Sequence, residues 1–194
     1  EFSELRVSVI LASALPAALA AKGANTTIPI VFVSGADPVQ LGLVASLNRP
    51  GGNITGIANY FGALGGKRLE LLRELVPRRG PVGYLLNPDN QNAQAHSAEV
   101  QEAARAMGQP LEILIGRNSR EIEAAYVTLV ERKGIAMLVG DDPYYNTERT
   151  RLVALAARHA IPTIYYASSF VSVGGLISYG SDQSETYRLS GIYV

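Results

Sequence analysis

The side chains of this protein best placed to do chemistry fall in five short polar stretches. They are Ser13, Ser34-Gly35-Ala36-Asp37-Pro38, Asn87-Pro88-Asp89-Asn90, Gly140-Asp141-Asp142-Pro143-Tyr144-Tyr145 and Tyr179-Gly180-Ser181-Asp182. Each reads as the exit of a strand and the start of a helix. Hydroxyls, amides and carboxylates therefore stand beside the free N–H groups of a helix N-terminus, an arrangement suited to a ligand carboxylate. The acidic stretches suit an ammonium group. Tyr60, Tyr144, Tyr145 and Tyr166 offer ring faces for stacking on an apolar or aromatic ligand body. For any one loop, helix capping alone accounts for Ser, Asn or Asp. Five repetitions of the device point to a shared role in binding.

Other chemistries find less support. The chain has 0 cysteines, which excludes thiol catalysis, thiolate metal sites, disulfides and a two-thiol racemase. His96 lies within a helical stretch and His159 in a last helical turn, where the dipole favours a cation. Neither has a Ser/Asp partner visible in the sequence, so a hydrolytic triad is unsupported. Asp37, Asp141 and Asp142 invite reading as a phosphoacceptor or metal cluster, but such a site also needs a lysine at a strand end. The lysines, Lys22, Lys67 and Lys133, fall in helices or at helix ends. Seventeen basic and 17 acidic residues give no net charge, without the basic bias of a nucleic-acid binder. No helix-turn-helix or basic segment precedes the chain's α/β pattern, as a sugar-responsive regulator would have. The Arg78-Arg79 pair reads as a solvated turn. No apolar run approaches the roughly 20 residues needed to cross a bilayer. No cofactor, metal or catalytic residue is expected.

The elements that position these loops follow from the hydrophobic pattern. Ile28 to Val33 is a continuous apolar run rich in β-branched residues, which fits a strand buried on both faces. Asp37 and Pro38 then set a helix start, a cap followed by a residue with φ already fixed. Before this strand lie Val7–Leu11 and a helix over Leu15–Lys22. After it come a helix carrying Val39, Leu43, Val44 and Leu47, a strand over Ile54–Ala58 and an amphipathic helix over Leu64–Val76. Further strands are expected at Val82–Leu86, Leu111–Ile115, Ile135–Val139, Thr163–Tyr166 and Leu176–Tyr179. Helices are expected over 91–107, 119–132, 147–159 and 168–173, with a last one from Asp182. Strands alternating with helices imply right-handed crossovers and parallel sheets, hence an α/β fold. Pro77-Arg78-Arg79-Gly80-Pro81 is the expected boundary, with one part over 1–79, rejoined by 175–194, and a second over 80–174.

The run IPIVFVSGADPVQLGLVASLNRPGGNITGIA, followed by KRLELLRELVP, resembles the solute-binding proteins of ABC transporters, in the family with tryptophan- and tyrosine-binding members. So do VGYLLNPDN, MLVGDDPYY, RHAIPTIYYASSFVSVGGLISYG and SETYRLSGIYV. The resemblance spans nearly the whole chain in the same order. It implies the type I periplasmic-binding fold, two Rossmann-like lobes with parallel sheets and a ligand between them. It also implies a small-molecule solute and an ABC permease as partners, no nucleic acid, no enzymatic activity and a periplasmic or membrane-anchored extracytoplasmic location. By this likeness Ser13, Ser34 and Asp37 belong to the first lobe's ligand wall, Asn87, Asn92 and Asp142 to the second, and Tyr179 and Asp182 to the return crossing. Relatives carry a further βαβ segment before the position of Glu1 and further crossovers after Val194. The first lobe is therefore expected to be incomplete and Val7–Leu11 to be an unpaired edge through which the fragment self-associates. Asn-Pro-Asp-Asn after Leu86 departs from the small hydroxyl residues usual in the amino-acid binders. The ligand stays open between an amino acid and another small polar solute.

Overall fold

The computed structural model describes residues 7–13, 15–24, 27–34, 37–58, 64–180 and 183–194. The chain divides into two compact units, Glu1–Phe61 with Asp182–Val194, and Gly62–Ser181.

The first unit holds β1 (Ile10–Ala12), α1 (Leu15–Gly23), β2 (Ile30–Ser34) and β3 (Ile54–Ala58). The three strands form one parallel sheet in the order β1-β2-β3, with Ile10 beside Ile30 and Ile30 beside Ile54. Every residue of β2 is buried, as its unbroken apolar run requires of a strand covered on both faces. Ala12, Ala18, Ile30, Phe32, Leu43, Val44 and Ile54 make the core. Among the described residues β1 pairs with β2 alone and stands at the sheet edge.

The helix expected over Val39–Leu47 does not form. Asp37 starts a single turn, with its Oδ1 accepting from the N–H of Val39 (2.8 Å) and Gln40 (3.2 Å). Gly42 then adopts a positive φ of 65°, and Leu43 N–H reaches back to Pro38 O at 2.8 Å. That is a left-handed helix C-cap, closed one turn after the start. Leu43 and Val44 reach the core from the loop that follows.

The second unit holds α2 (Gly65–Leu75), β4 (Val82–Leu86), α3 (Ala93–Ala106), β5 (Leu111–Ile115), α4 (Ser119–Glu131), β6 (Ala136–Val139), α5 (Pro143–Thr147), α6 (Arg149–Arg158), β7 (Thr163–Tyr165), α7 (Ser168–Val171) and β8 (Ile177–Ser178). Its five strands are all parallel, in the order β5-β4-β6-β7-β8. Side chains alternate between two cores. Val82, Tyr84, Ala136 and Leu138 meet Leu69 and Leu72 of α2 and Val100 and Ala104 of α3. Leu85, Met137 and Val139 meet Ile122, Tyr126 and Leu129 of α4, and Leu152 and Leu155 of α6. The helix expected over 147–159 is α6, and a short helix not expected from the sequence, α5, precedes it across a turn at Glu148.

The units differ from the expected boundaries for a packing reason. The apolar stripe of α2 (Leu69, Leu72, then Val76) is buried against β4 and β6, so α2 and the Pro77–Pro81 turn lie within the second unit. β8 pairs with β7, which keeps residues 175–181 there too. The last helix, α8 (Gln183–Tyr193), packs on β2 and β3 of the first unit.

Leu138 is 0% exposed at the centre of the larger sheet. Leu138→Ala is expected to lower the unfolding free energy by about 2–5 kcal/mol in a urea titration. Leu11→Ala, on an edge-strand side chain 48% exposed, should change it by less than about 0.5 kcal/mol.

Candidate functional site

In the order β5-β4-β6, the chain leaves β4 toward one side of the sheet and returns on the other. Open α/β sheets bind ligands outside the carboxyl ends of the strands at such a reversal. The loops there are 87–92, after β4, and 140–142, after β6. Gly140 lets them approach, since a Cβ at this position would lie 2.8 Å from Leu85 O and 3.3 Å from the Tyr84 ring. Its N–H donates to Leu85 O at 2.9 Å.

Asp142 gathers the two loops. It is 5% exposed, and its Oδ2 accepts from Asn87 Nδ2 (3.1 Å) and Asn90 Nδ2 (2.9 Å). Its Oδ1 caps α5 by accepting from Tyr144 N–H at 2.7 Å, and Pro143 fills the first helical position. Tyr166 donates its hydroxyl to Asp142 O at 2.7 Å. Burial first, then the charges of Asp141 and Asp142, push the Tyr166 phenol well up, so it remains a donor. Asn87 Oδ1 in turn accepts from Asp89 N–H (3.1 Å), and Asn90 Oδ1 from Asn92 N–H (2.9 Å). The amides of Asn87 and Asn90 are thus committed at both ends. Asn92 stands half-buried at the start of α3, and its side-chain amide makes no hydrogen bond among the described residues.

Asp141 faces a different partner. Its Oδ1 accepts from Arg68 Nη1 of α2 at 2.7 Å, with the two side chains 9% and 4% exposed. Asp141 Oδ2 and Arg68 Nε are buried without partners. Burial raises the Asp141 carboxyl above the ordinary carboxylate range, while Arg68 and then His96 pull it back. Asp141 and Asp142 are therefore engaged separately, one by a guanidinium and one by amide donors, and do not converge as an acidic cluster.

The structure brings Asn87 and Asp142 into contact and places Asn92 in the same loop cluster. Ser13, Ser34 and Asp37 belong to the first unit, at the carboxyl ends of the neighbouring strands β1 and β2. Ser13 is exposed, Ser34 is the buried last residue of β2, and Asp37 caps the short turn. Tyr179 follows β8 at the sheet edge, 40% exposed and two strands from β6. Asp182 and Tyr60 lie outside the described residues, as do Gly35 and Ala36. Tyr145 is buried in the core, and Tyr166 is buried with its hydroxyl committed, so neither presents a ring face for stacking. Tyr144 is half-buried, with its hydroxyl 3.2 Å from Ser119 Oγ.

Asn90 was among the polar stretches without a ligand role assigned to it, and Arg68 escaped the candidates altogether. Arg68 did leave a trace: it lies four residues before Leu72, on the buried stripe of an amphipathic helix where a charge needs a partner.

The sequence pattern of the ABC transporter substrate binding protein family matches residues 1–194. The chain belongs to this family. A tyrosine-binding protein of Clostridioides difficile (strain R20291) is 29% identical over 182 residues, 94% of this chain and 52% of the relative. A conserved domain protein of Vibrio cholerae superposes with a TM-score of 0.80 at 26% identity, covering 99% of this chain and 64% of that one. An ABC domain of Streptococcus pneumoniae, solved in complex with L-Trp, gives 0.74 at 25%, covering 96% and 64%. The chain thus spans about half the length of the curated relative. These neighbours share the parallel α/β architecture of periplasmic-binding proteins. Within the described residues of this family member, no helix is long and apolar enough to cross a membrane.

Breaking the Arg68–Asp141 pair tests its part in holding α2 to the β6 exit. Arg68→Met leaves a buried carboxylate uncompensated and should cost about 3–5 kcal/mol at neutral pH by chemical denaturation. The carboxyl's folded pKa then rises further above its unfolded value. The stability it contributes is complete below the unfolded pKa and is lost as pH rises through the folded one. The deficit should accordingly shrink on acidification toward pH of about 4. Arg68→Met with Asp141→Leu should recover most of the loss at pH of about 7.

Proposed function

We propose that this chain is the solute-capturing part of an ABC transporter substrate-binding protein that takes an amino acid with an aromatic side chain. The amide-rich cluster at the strand reversal of the second unit, in a chain of this family, carries the reading. Relatives of similar sequence include a tyrosine-binding protein and a domain solved with L-Trp, which supports the aromatic class. We assign ligand contacts to Ser13, Ser34 and Asp37 in one unit, to Asn87, Asn92, Asp142 and Tyr179 in the other, and to Asp182, which follows them all in sequence.

Capture needs no covalent step from these residues. The solute is held by hydrogen bonds and shifts the protein toward the arrangement that binds it better. Asp142 also fixes Asn87 and Asn90, with three N–H donors on its carboxylate. Asn92 offers an uncommitted amide to a ligand carboxylate or ammonium group. Delivery is to a membrane permease on the extracytoplasmic side. The β1 edge, with Leu11 half exposed, supports self-association of the 194-residue chain. Light scattering behind size exclusion should show dimers growing with concentration, and Leu11→Lys should suppress them.

Thermal unfolding against a panel of amino acids tests the ligand class. L-tyrosine or L-tryptophan should raise the midpoint, since a ligand at 100 times its Kd adds about 2.7 kcal/mol. Stabilisation by other small polar solutes alone would overturn the aromatic assignment. Asn92→Ala should weaken binding about tenfold with little change in stability of the free protein. Asp142→Ala should lower stability and binding together.

A further inference from the structure

At the opposite end of the second unit's sheet, a cleft of about 550 Å³ opens between the turn before β4 and the turn before β5. It is separated from the Asn87–Asp142 cluster by the length of a five-residue strand, about 16 Å. Arg73, Arg78 and Arg79 line it, together with Val76, Pro77 and the 108–110 turn, and no acidic side chain does. The chain as a whole balances 17 basic against 17 acidic residues, so this clustering is local.

The walls are pinned. Gln109 Nε2 donates to Gly80 O at 2.8 Å and to Pro110 O at 2.9 Å, which ties the two turns together. Arg73 Nη1 donates to Met107 O at 3.2 Å, beyond the last turn of α3. That bond accounts for Arg73 as a partner of a helix C-terminus, where cations are favoured. It does not account for Arg78 and Arg79, which lie beyond the end of α2. None of the three arginines is in an ion pair among the described residues, as is also true of Arg49, Arg105, Arg120 and Arg149; what sets these three apart is that they line one cavity.

We propose that this cleft is a second binding site, for a phosphate-bearing anion. Guanidinium groups match phosphate oxygens with paired N–H donors, and three of them around one cavity neutralise a multiply charged group. The volume lies in the range of small-molecule pockets, about 300–1,000 Å³, and exceeds what a lone monovalent ion needs. The site is separate from solute capture and leaves the strand-exit loops unoccupied.

The test is a titration of the isotope-labelled chain with inorganic pyrophosphate, following backbone amide shifts, against sodium chloride of matched ionic strength. Saturable shifts at Gly80, Gly108 and Gln109, absent with chloride, are expected. Arg78→Gln and Arg79→Gln, both at exposed positions, should each weaken binding about fivefold while leaving the thermal midpoint in place. A second arm uses vesicles with and without phosphatidylglycerol. Co-sedimentation that needs the anionic lipid and both arginines, added to pyrophosphate binding, identifies a headgroup as the source. Pyrophosphate binding without co-sedimentation identifies a free phosphorylated solute. Shifts that follow ionic strength alone, or that are unchanged in the double variant, would overturn the site.

Discussion

Both faces of β4 and β6 are covered by helices, and that constraint governs the rest of the second unit. A strand buried on both sides has no place for a polar side chain along its length. Val82, Tyr84 and Leu85 on one strand, and Ala136 through Val139 on the other, are accordingly buried. The polar groups are displaced to the strand exits. Two neighbouring strands whose connections run in opposite directions then bring two such exits together. The candidate site is a consequence of that burial.

The polar groups at these exits are divided between holding the loops and remaining available. Asp142 is a buried carboxylate and is satisfied by two amides and a backbone N–H. Removing it would leave donors without partners on both loops, at about 1–3 kcal/mol for each buried group left unpaired. Asp141 and Arg68 do comparable work between α2 and the β6 exit, less completely, since one atom on each side stays unpartnered. Asn92 is left with an uncommitted amide. Capping is thus carried by Asp142, while Asn92 keeps a side-chain amide free among the described residues of the same loop cluster.

Val82–Leu86 was legible because burial on two faces leaves an apolar run. The partly exposed Leu111–Ile115 and Ile54–Ala58 were legible because aliphatic residues stand between clear turn signals. Ile54–Ala58, Val82–Leu86 and Leu111–Ile115 have the limits their pattern predicts. The stretch after Pro38 was misleading, because Val39, Leu43 and Val44 have helical spacing. Gly42, with φ of 65°, closes the turn before a second can form, and a glycine at that position carries too little signal by itself. The boundary at Pro77–Pro81 has the composition of a linker but is a turn between α2 and β4, two elements of one core. What the sequence leaves hidden are pairings between residues far apart in the chain. Arg68 meets Asp141 across 73 positions, and Asn90 meets Asp142 across 52. The sequence presented Asp142 at a strand exit, and the structure adds that its carboxylate supports Asn87 and Asn90.

Amide hydrogen exchange, read along the chain with and without a saturating aromatic amino acid, addresses the central claim most directly. Solute contact at the exits of β4 and β6 predicts added protection over residues 87–92 and 140–144. Amides inside β4 and β6, already protected by the sheet, should be unchanged. Binding that leaves both loops unprotected, or that protects only segments away from these strand exits, would contradict the account.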